Sequence, residues 1–155
     1  MVENLGVSRV PWTLADCWKL ARRKVRREYS ASLMSDTKWR TVFEALHNSD
    51  IEILRVLMKS LLNNSEFQTR LPEPYDPDVF GHVTYGLVET TYGPVPLVEL
   101  EWVEFPAEVV FYPDDPSPKR VQQNLDAIEQ VITNIGKRVP LERTASGLRI
   151  IGHIR

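Results

Sequence analysis

The stretch PLVELEWVEF, residues 96–105, decides the fold, because its apolar and acidic side chains alternate as in a β-strand with one wet face. Glutamate is depleted in strands, yet Glu99, Glu101 and Glu104 all occur here. Residues two apart on a strand point to one face, so Glu99 and Glu101 could share a proton or a cation. The alternative is a solvated outer row, in which Glu104 marks a bulge or the strand end.

We favour the solvated row, because alternation explains it without any chemistry. This interpretation predicts one buried set and one outward set. The buried set is Val98, Leu100 and Trp102, and the outward set is Leu97, Glu99, Glu101 and Val103.

The flanking segments extend this strand into an antiparallel sheet. Residues 83–92 are rich in β-branched and aromatic side chains, and Gly93-Pro94 indicates a turn, so 83–92 and 95–105 are predicted to form a hairpin. Nine of the eleven prolines lie between positions 72 and 118, which favours strands and ordered loops there. Further strands are predicted over 108–112 and in a last hairpin that turns at Ser146-Gly147.

Helical spacing of apolar residues occurs on both sides of this region. The predicted helices cover 14–29, a segment starting at Ser35 or Asp36, 51–61 behind the capping box of Ser49 and Glu52, and a long segment from Ser117-Pro118 to Gly136. The sequence therefore predicts an α+β fold: an antiparallel sheet of about four to six strands, with three N-terminal helices and one long C-terminal helix packed on one face.

The length of 155 residues fits a single α+β domain over 1–155, with 1–12 as a candidate flexible extension. The N-terminal residues lack a signal-peptide pattern, and no apolar run is long enough to span a bilayer. We therefore expect a cytoplasmic protein with no membrane partner. The single cysteine, Cys17, cannot form an internal disulfide and is predicted to be a small helix residue.

Charge is distributed very unevenly along the chain. The formal net charge is −2, but the local balances are +4 over residues 1–63, −10 over 64–115 and +4 over 116–155. An asymmetry of this kind bears on partners rather than on fold. The densest basic run, residues 21–29, is interpreted as a solvated helix face or as a helix that docks on the protein's own acidic middle, so nucleic-acid binding is not expected.

No reaction motif occurs in the sequence. His47, His82 and His153 are far apart and form no metal-ligand pattern, and there is no nucleophile elbow, phosphate-binding glycine loop or paired-cysteine motif. We therefore predict no metal and no cofactor.

Two segments, SDTKWRTVFEAL (35–46) and GPVPLVELEW (93–102), resemble the recurring signatures of a family of small bacterial proteins known only as a domain of unknown function. In that family an S/N-D-T-K-W-R helix start precedes a hairpin with an acidic, tryptophan-bearing strand. The similarity covers chiefly residues 33–112, and the first 30 residues and the C-terminal helix depart from it. The resemblance implies a related fold, and it assigns no activity and no site residue.

Small size, the absence of a reaction motif and the acidic middle third predict a non-enzymatic binding protein. The predicted role is that of an immunity- or antitoxin-like protein that neutralises a basic partner such as a nuclease toxin domain through an acidic, aromatic-rich surface. The candidate partner-binding residues are Asp76, Asp78, Glu89, Glu99, Glu101, Trp102, Glu104, Asp114 and Asp115.

Two alternatives stay open. The first is a self-associating regulatory or scaffold protein, in which the acidic strand of one copy binds the basic helix of another. The second is a carboxylate-dependent enzyme that uses Glu99 and Glu101.

Overall fold

The computed structural model describes residues 13–75 and 86–155, which form an α+β structure. The helices are α1 (Leu14–Glu28), α2 (Asp36–His47) and α3 (Leu125–Thr133), with a 3-10 turn at Leu97–Glu99. The strands are β1 (Ala31–Ser32), β2 (Val56–Ser60), β3 (Ser65–Thr69), β4 (Glu73–Pro74), β5 (Leu87–Thr90), β6 (Gly93–Pro96), β7 (Leu100–Pro106), β8 (Glu108–Phe111), β9 (Lys119–Gln122), β10 (Leu141–Arg143), β11 (Gly147–Ile151) and β12 (His153–Ile154).

The main sheet has five antiparallel strands in the spatial order β10-β11-β7-β2-β3. Smaller sheets surround it: β8 pairs with β9, β1 with β12, and β4-β5-β6 form a three-stranded unit. β7 is the central strand and lies between β11 and β2. The antiparallel sheet and the last hairpin agree with the sequence-based predictions.

The first two helices form where the sequence predicts them. Thr13 and Asp16 form a reciprocal capping box at the start of α1, and Ser35 caps α2 by accepting from the Lys38 amide at 3.1 Å. The buried stripe of α2 has the predicted helical spacing. Its members are Trp39, Val42, Phe43 and Leu46.

The predicted third helix over 51–61 is wrong. Ser49 Oγ donates to the Leu46 carbonyl at 2.7 Å and accepts from the Ile51 amide at 3.3 Å, so it closes the turn after α2 instead of capping a new helix. Residues 51–55 are irregular and are followed by β2. A short apolar run fits helical and strand periods equally, and here pairing with β3 and β7 on both sides stabilises the strand.

The predicted long C-terminal helix is wrong too. Lys119–Gln122 form β9, paired antiparallel with β8, and α3 is only nine residues long. Its N-cap is Asn124, whose side chain accepts from the Ala127 amide at 3.1 Å. Ser117-Pro118 therefore precede a strand, and the α+β architecture has two N-terminal helices and one short C-terminal helix.

The strand predicted over 95–105 is interrupted. Residues 93–96 pair with β5, with the turn at Thr91 and Tyr92 instead of Gly93-Pro94, and the 3-10 turn at Leu97–Glu99 then separates β6 from β7. The 3-10 turn interrupts the alternation of side chains between the two faces of a strand. The predicted outward set of residues is therefore wrong. Leu97 and Val103 are fully buried.

Residues 13–75 and 86–155 hold two clusters of buried apolar side chains. The larger lies between α2, α3 and one face of the main sheet, and the smaller lies beneath α1. The smaller cluster contains Ala21, Tyr29 and Leu61, with Val25, Leu62 and Val98 packed against it. α1 is thus anchored on the 3-10 turn and β6, away from the main core.

Candidate functional site

Glu104 lies in the middle of the main sheet and is only 1% exposed. Its carboxylate accepts from Thr144 Oγ1 at 3.0 Å, Ser146 Oγ at 2.8 Å and Arg149 Nε at 3.0 Å. The Arg149 guanidinium also lies 3.8 Å from the ring centre of Trp102, which is itself buried. Glu104 and Trp102, both predicted to bind a partner, thus connect β7 to the last hairpin instead.

Glu101 is held in a second network. Tyr29 Oη donates to its carboxylate, Lys59 Nζ lies 3.3 Å from Oε2, and Arg155 Nη2 lies 3.8 Å from Oε1. Burial and the hydrogen bond to Glu101 raise the pKa of Tyr29 to about 12, so the phenol stays protonated and continues to donate. The Glu101 charge is therefore compensated inside the protein.

Glu99 has a single polar partner in the described residues, Ser60 Oγ, which donates at 2.7 Å. Burial raises the pKa of this carboxyl group, and the Ser60 hydrogen bond only partly offsets that effect. Because Glu99 lies in the 3-10 turn and Glu101 in β7, the two do not occupy alternate positions of one strand. They bind different partners, so the structure does not bring them together as a dyad.

Asp114 and Asp115 lie in the exposed turn between β8 and β9. Tyr112 in the same turn is 72% exposed and has a left-handed φ of 54°. Asp76 and Asp78, also predicted to bind the partner, lie outside the described residues. Of the seven predicted residues that the structure describes, only Asp114 and Asp115 are thus placed on an open surface.

Glu89 lies in the wall of a cleft of about 470 Å³, the Glu89 cleft. The cleft is formed by the end of α2, residues 51–55, residues 70–73 and the end of β5. Both apolar and polar side chains line it. The charged and hydroxyl-bearing ones include Arg55, Arg70, Glu73, Glu89 and Thr91.

Two carboxylates share this cleft because of the strand register. Glu73 in β4 lies directly opposite Glu89 in β5, and residues directly opposite in an antiparallel pair point to the same side. Tyr75 Oη donates to Glu89 Oε1 at 2.8 Å, whereas Oε2 is buried and accepts no hydrogen bond from the described residues. Burial, followed by the bond to Glu89, raises the pKa of Tyr75. A buried, unsatisfied oxygen beside a like charge is unfavourable without a cation.

The basic side chains of the cleft do not neutralise these acids. Arg55 Nη1 donates to the Leu54 carbonyl at 2.7 Å, and its guanidinium lies 5.1 Å from the ring centre of Phe111. Within the described residues, neither Arg55 nor Arg70 forms an ion pair with Glu73 or Glu89. The cleft therefore holds two carboxylates without an ion pair among the described residues, the exposed Glu73 and the partly buried Glu89.

The histidines have structural partners where they are described. His47 Nε2 bonds to the Pro72 carbonyl at 2.8 Å, and the buried His153 contacts Ser32 Oγ and the Val98 carbonyl, both at 2.8 Å. His82 lies outside the described residues. In the described part of the chain no group of three or more His, Cys, Asp or Glu side chains is placed to hold a metal ion. The Cys17 thiol is free, and burial raises its pKa, as do Glu99 and Asp16.

Sequence reasoning missed Glu73 because its role depends on its pairing with Glu89 across a long connection. Neither residue carries a local motif. Glu73 could have been found only from the pairing of its strand with the strand that holds Glu89.

Comparison with known proteins assigns no family: no family model matches the chain, and no curated protein or solved structure is significantly similar to it. Over 13–75 and 86–155, no helix combines the length and apolar character that crossing a membrane requires.

Proposed function

We propose that this chain is a non-enzymatic binding protein that accepts a cationic side chain of a basic protein partner in the Glu89 cleft. The buried Glu89 Oε2, left without a donor among the described residues of the cleft wall, carries this proposal. A Lys or Arg side chain supplies the missing donor when the Glu89 carboxylate turns into the cleft, and its charge offsets the repulsion between Glu73 and Glu89.

The surroundings of the cleft support a protein as the source of that cation. Tyr92 follows Thr91 of the cleft wall, is 74% exposed, and packs edge-on against Phe67 at 5.9 Å between ring centres. Large, oriented aromatic side chains are frequent anchors of protein interfaces. The exposed carboxylates of residues 64–115, which include Glu73, Asp114 and Asp115, would accelerate association with a basic partner. We propose an immunity- or antitoxin-like role, with a basic toxin domain as that partner.

Titration with a short oligo-lysine peptide, followed by backbone amide NMR, tests the cleft. We expect the amides of Thr90, Thr91 and Tyr92 to shift, and Glu89→Gln to weaken binding about tenfold or more, since a hydrogen bond to a charged group contributes about 1.5–3 kcal/mol. The melting temperature should not fall in this variant, because the substitution also removes the repulsion with Glu73.

The matched control is Glu142→Gln, which removes one exposed carboxylate from β10. If both variants bind oligo-lysine equally weakly, net charge explains the effect, and the proposal that the Glu89 cleft binds the peptide is refuted. Shifts confined to residues 112–115 would instead place the binding surface at Asp114 and Asp115. An oligo-glutamate peptide should cause no shift.

Self-association is a second candidate, because α1 exposes basic side chains and the β8–β9 turn exposes Asp114 and Asp115. Light scattering at about 0.05 M and 0.5 M salt tests it, since screening shortens the range of charge attraction about threefold over this interval. A mass that is constant at the monomer value at both salt concentrations contradicts it.

A further inference from the structure

The exposed side of α1 carries a continuous row of basic side chains that the Glu89 cleft does not explain. Their spacing is i, i+3, i+4, i+7 and i+8, which places them on one side of a helix. This basic stripe consists of Lys19, Arg22, Arg23, Arg26 and Arg27, all exposed.

The basic stripe has almost no internal compensation. Arg27 pairs with Glu28 at 3.0 Å, and Arg22 lies 5.0 Å from the ring centre of Trp18. In the described part of the chain, Lys19, Arg23 and Arg26 form no ion pair. Among the residues that the structure describes, these charges thus form a solvated face and do not dock the helix on the acidic middle.

The opposite side of α1 fixes the basic stripe on the protein. Ala21 is fully buried, Val25 packs against the small cluster that includes Leu61, and Lys24 Nζ donates to the Leu61 carbonyl at 2.6 Å. The helix is therefore held on the protein through this side and presents its cations outward.

We infer that the basic stripe binds the phosphodiester backbone of a nucleic acid. Four of its five residues are arginines, whose planar fork suits phosphate oxygens. The nine helical residues 19–27 rise about 12 Å, which matches three to four phosphates of one strand counted along the duplex axis at roughly 3.4 Å each. Because backbone contacts carry no sequence information, we expect binding to be independent of sequence.

Fluorescence anisotropy with a labelled random duplex DNA of roughly 20 bp, and with a single-stranded RNA of the same length, tests this inference. We expect the logarithm of the duplex binding constant to fall with the logarithm of salt concentration with a slope of about −3. The triple variant Arg22→Gln, Arg23→Gln, Arg26→Gln keeps good helix formers and should lose at least tenfold in affinity, with a slope smaller by about 2.

The matched control removes three exposed cations elsewhere: Lys119→Gln, Lys137→Gln, Arg138→Gln. It should change affinity less than about threefold, and circular dichroism should show both variants folded. The inference fails if neither nucleic acid binds at about 0.05 M salt, or if the control loses as much as the α1 variant. Tighter binding to anionic phospholipid vesicles or to oligo-glutamate than to either nucleic acid also overturns it.

This surface is independent of the Glu89 cleft. Glu89→Gln should leave the nucleic-acid affinity unchanged, and the α1 triple variant should still shift the amides of Thr90 and Thr91 with oligo-lysine. Failure of either proposal therefore leaves the other standing.

Discussion

Buried carboxylates in this protein differ in what compensates them. Glu104 has a guanidinium and two hydroxyls, Glu101 has a lysine, an arginine and a phenol, and Glu99 has only the Ser60 hydroxyl among the described residues. The charged form of Glu99 is thus disfavoured in the fold, and burial raises its pKa. The unfolded chain releases the Glu99 proton at lower pH than the folded chain, so this residue lowers stability as pH rises above the ordinary carboxyl range.

Glu99→Gln should therefore stabilise the protein at pH 8 and leave it unchanged at pH 4. Gln still accepts from Ser60 and carries no charge, so we expect a gain on the order of 1 kcal/mol in the free energy of unfolding at the higher pH. Urea unfolding at both pH values measures it.

The comparison with wild type isolates Glu99 from other titrating groups. Burial lowers the pKa of His153, so its contribution to stability is lost as pH falls below about 6.5, but this loss is common to both proteins. Glu52→Gln, which removes an exposed carboxylate, should show no comparable pH-dependent gain. A gain that is equal at pH 4 and pH 8 would contradict the role given to burial.

At the scale of the elements, the close approach of two backbones at Gly147 determines the distance between β11 and β7. Gly147 pairs with Pro106 at the end of β7, and a Cβ at position 147 would lie 2.3 Å from the Phe105 carbonyl oxygen. This contact is with backbone of the central strand, so it cannot be relieved by a side-chain rotation.

Gly147→Ala should accordingly destabilise the protein by about 2 kcal/mol or more, because β11 must move away from β7. Gly136→Ala is the matched control: Gly136 has a left-handed φ of 75°, and a methyl group added there would have no neighbour within 4 Å among the described residues, so only the conformational cost of about 1 kcal/mol applies. Urea denaturation of both variants provides the test. A smaller loss at 147 than at 136 would contradict the close contact between β7 and β11.

For the whole molecule, Tyr29 is the point where distant parts of the chain meet. It is the C-cap that follows α1, donates to Glu101 of β7, and accepts from Arg155 Nη2 at 3.1 Å. Lys59 of β2 forms an ion pair with the same carboxylate. The Arg155 guanidinium also lies 4.6 Å from the Tyr29 ring centre. This cluster connects the small core beneath α1 to the main sheet.

Tyr29→Phe should cost about 1.5–2 kcal/mol, since it removes a hydrogen bond to a charged group. Combined with Arg155→Ala, the loss should be smaller than the sum of the single losses by at least about 0.5 kcal/mol, because both substitutions disrupt the same contacts. Urea unfolding of the four proteins completes the cycle. As a control, the losses in the free energy of unfolding caused by Tyr29→Phe and by the distant Arg143→Ala should add. If the losses caused by Tyr29→Phe and Arg155→Ala also add, the cluster does not act as a unit.

Local sequence determined the parts of this fold whose causes are local. The start of α1, the start of α2 at Ser35 and the turn before Gly147 each depend on a few neighbouring residues, and each is where the sequence predicts it. The segment 51–61 shows the limit: its apolar residues fit a helix, and only the presence of β3 and β7 on either side makes part of it a strand. The prediction of a long C-terminal helix is wrong for the same reason, because residues 119–122 pair with β8 as a strand.

The sequence by itself thus determined the mixed α+β composition, the antiparallel sheet and the acidic middle third. Only the tertiary structure decided which acids are internal, because burial and pairing depend on partners far along the chain: Arg149 for Glu104, Tyr29 and Lys59 for Glu101. It also decided that Glu73 and Glu89 face one cleft, since strand register is set by pairing and not by spacing in the sequence.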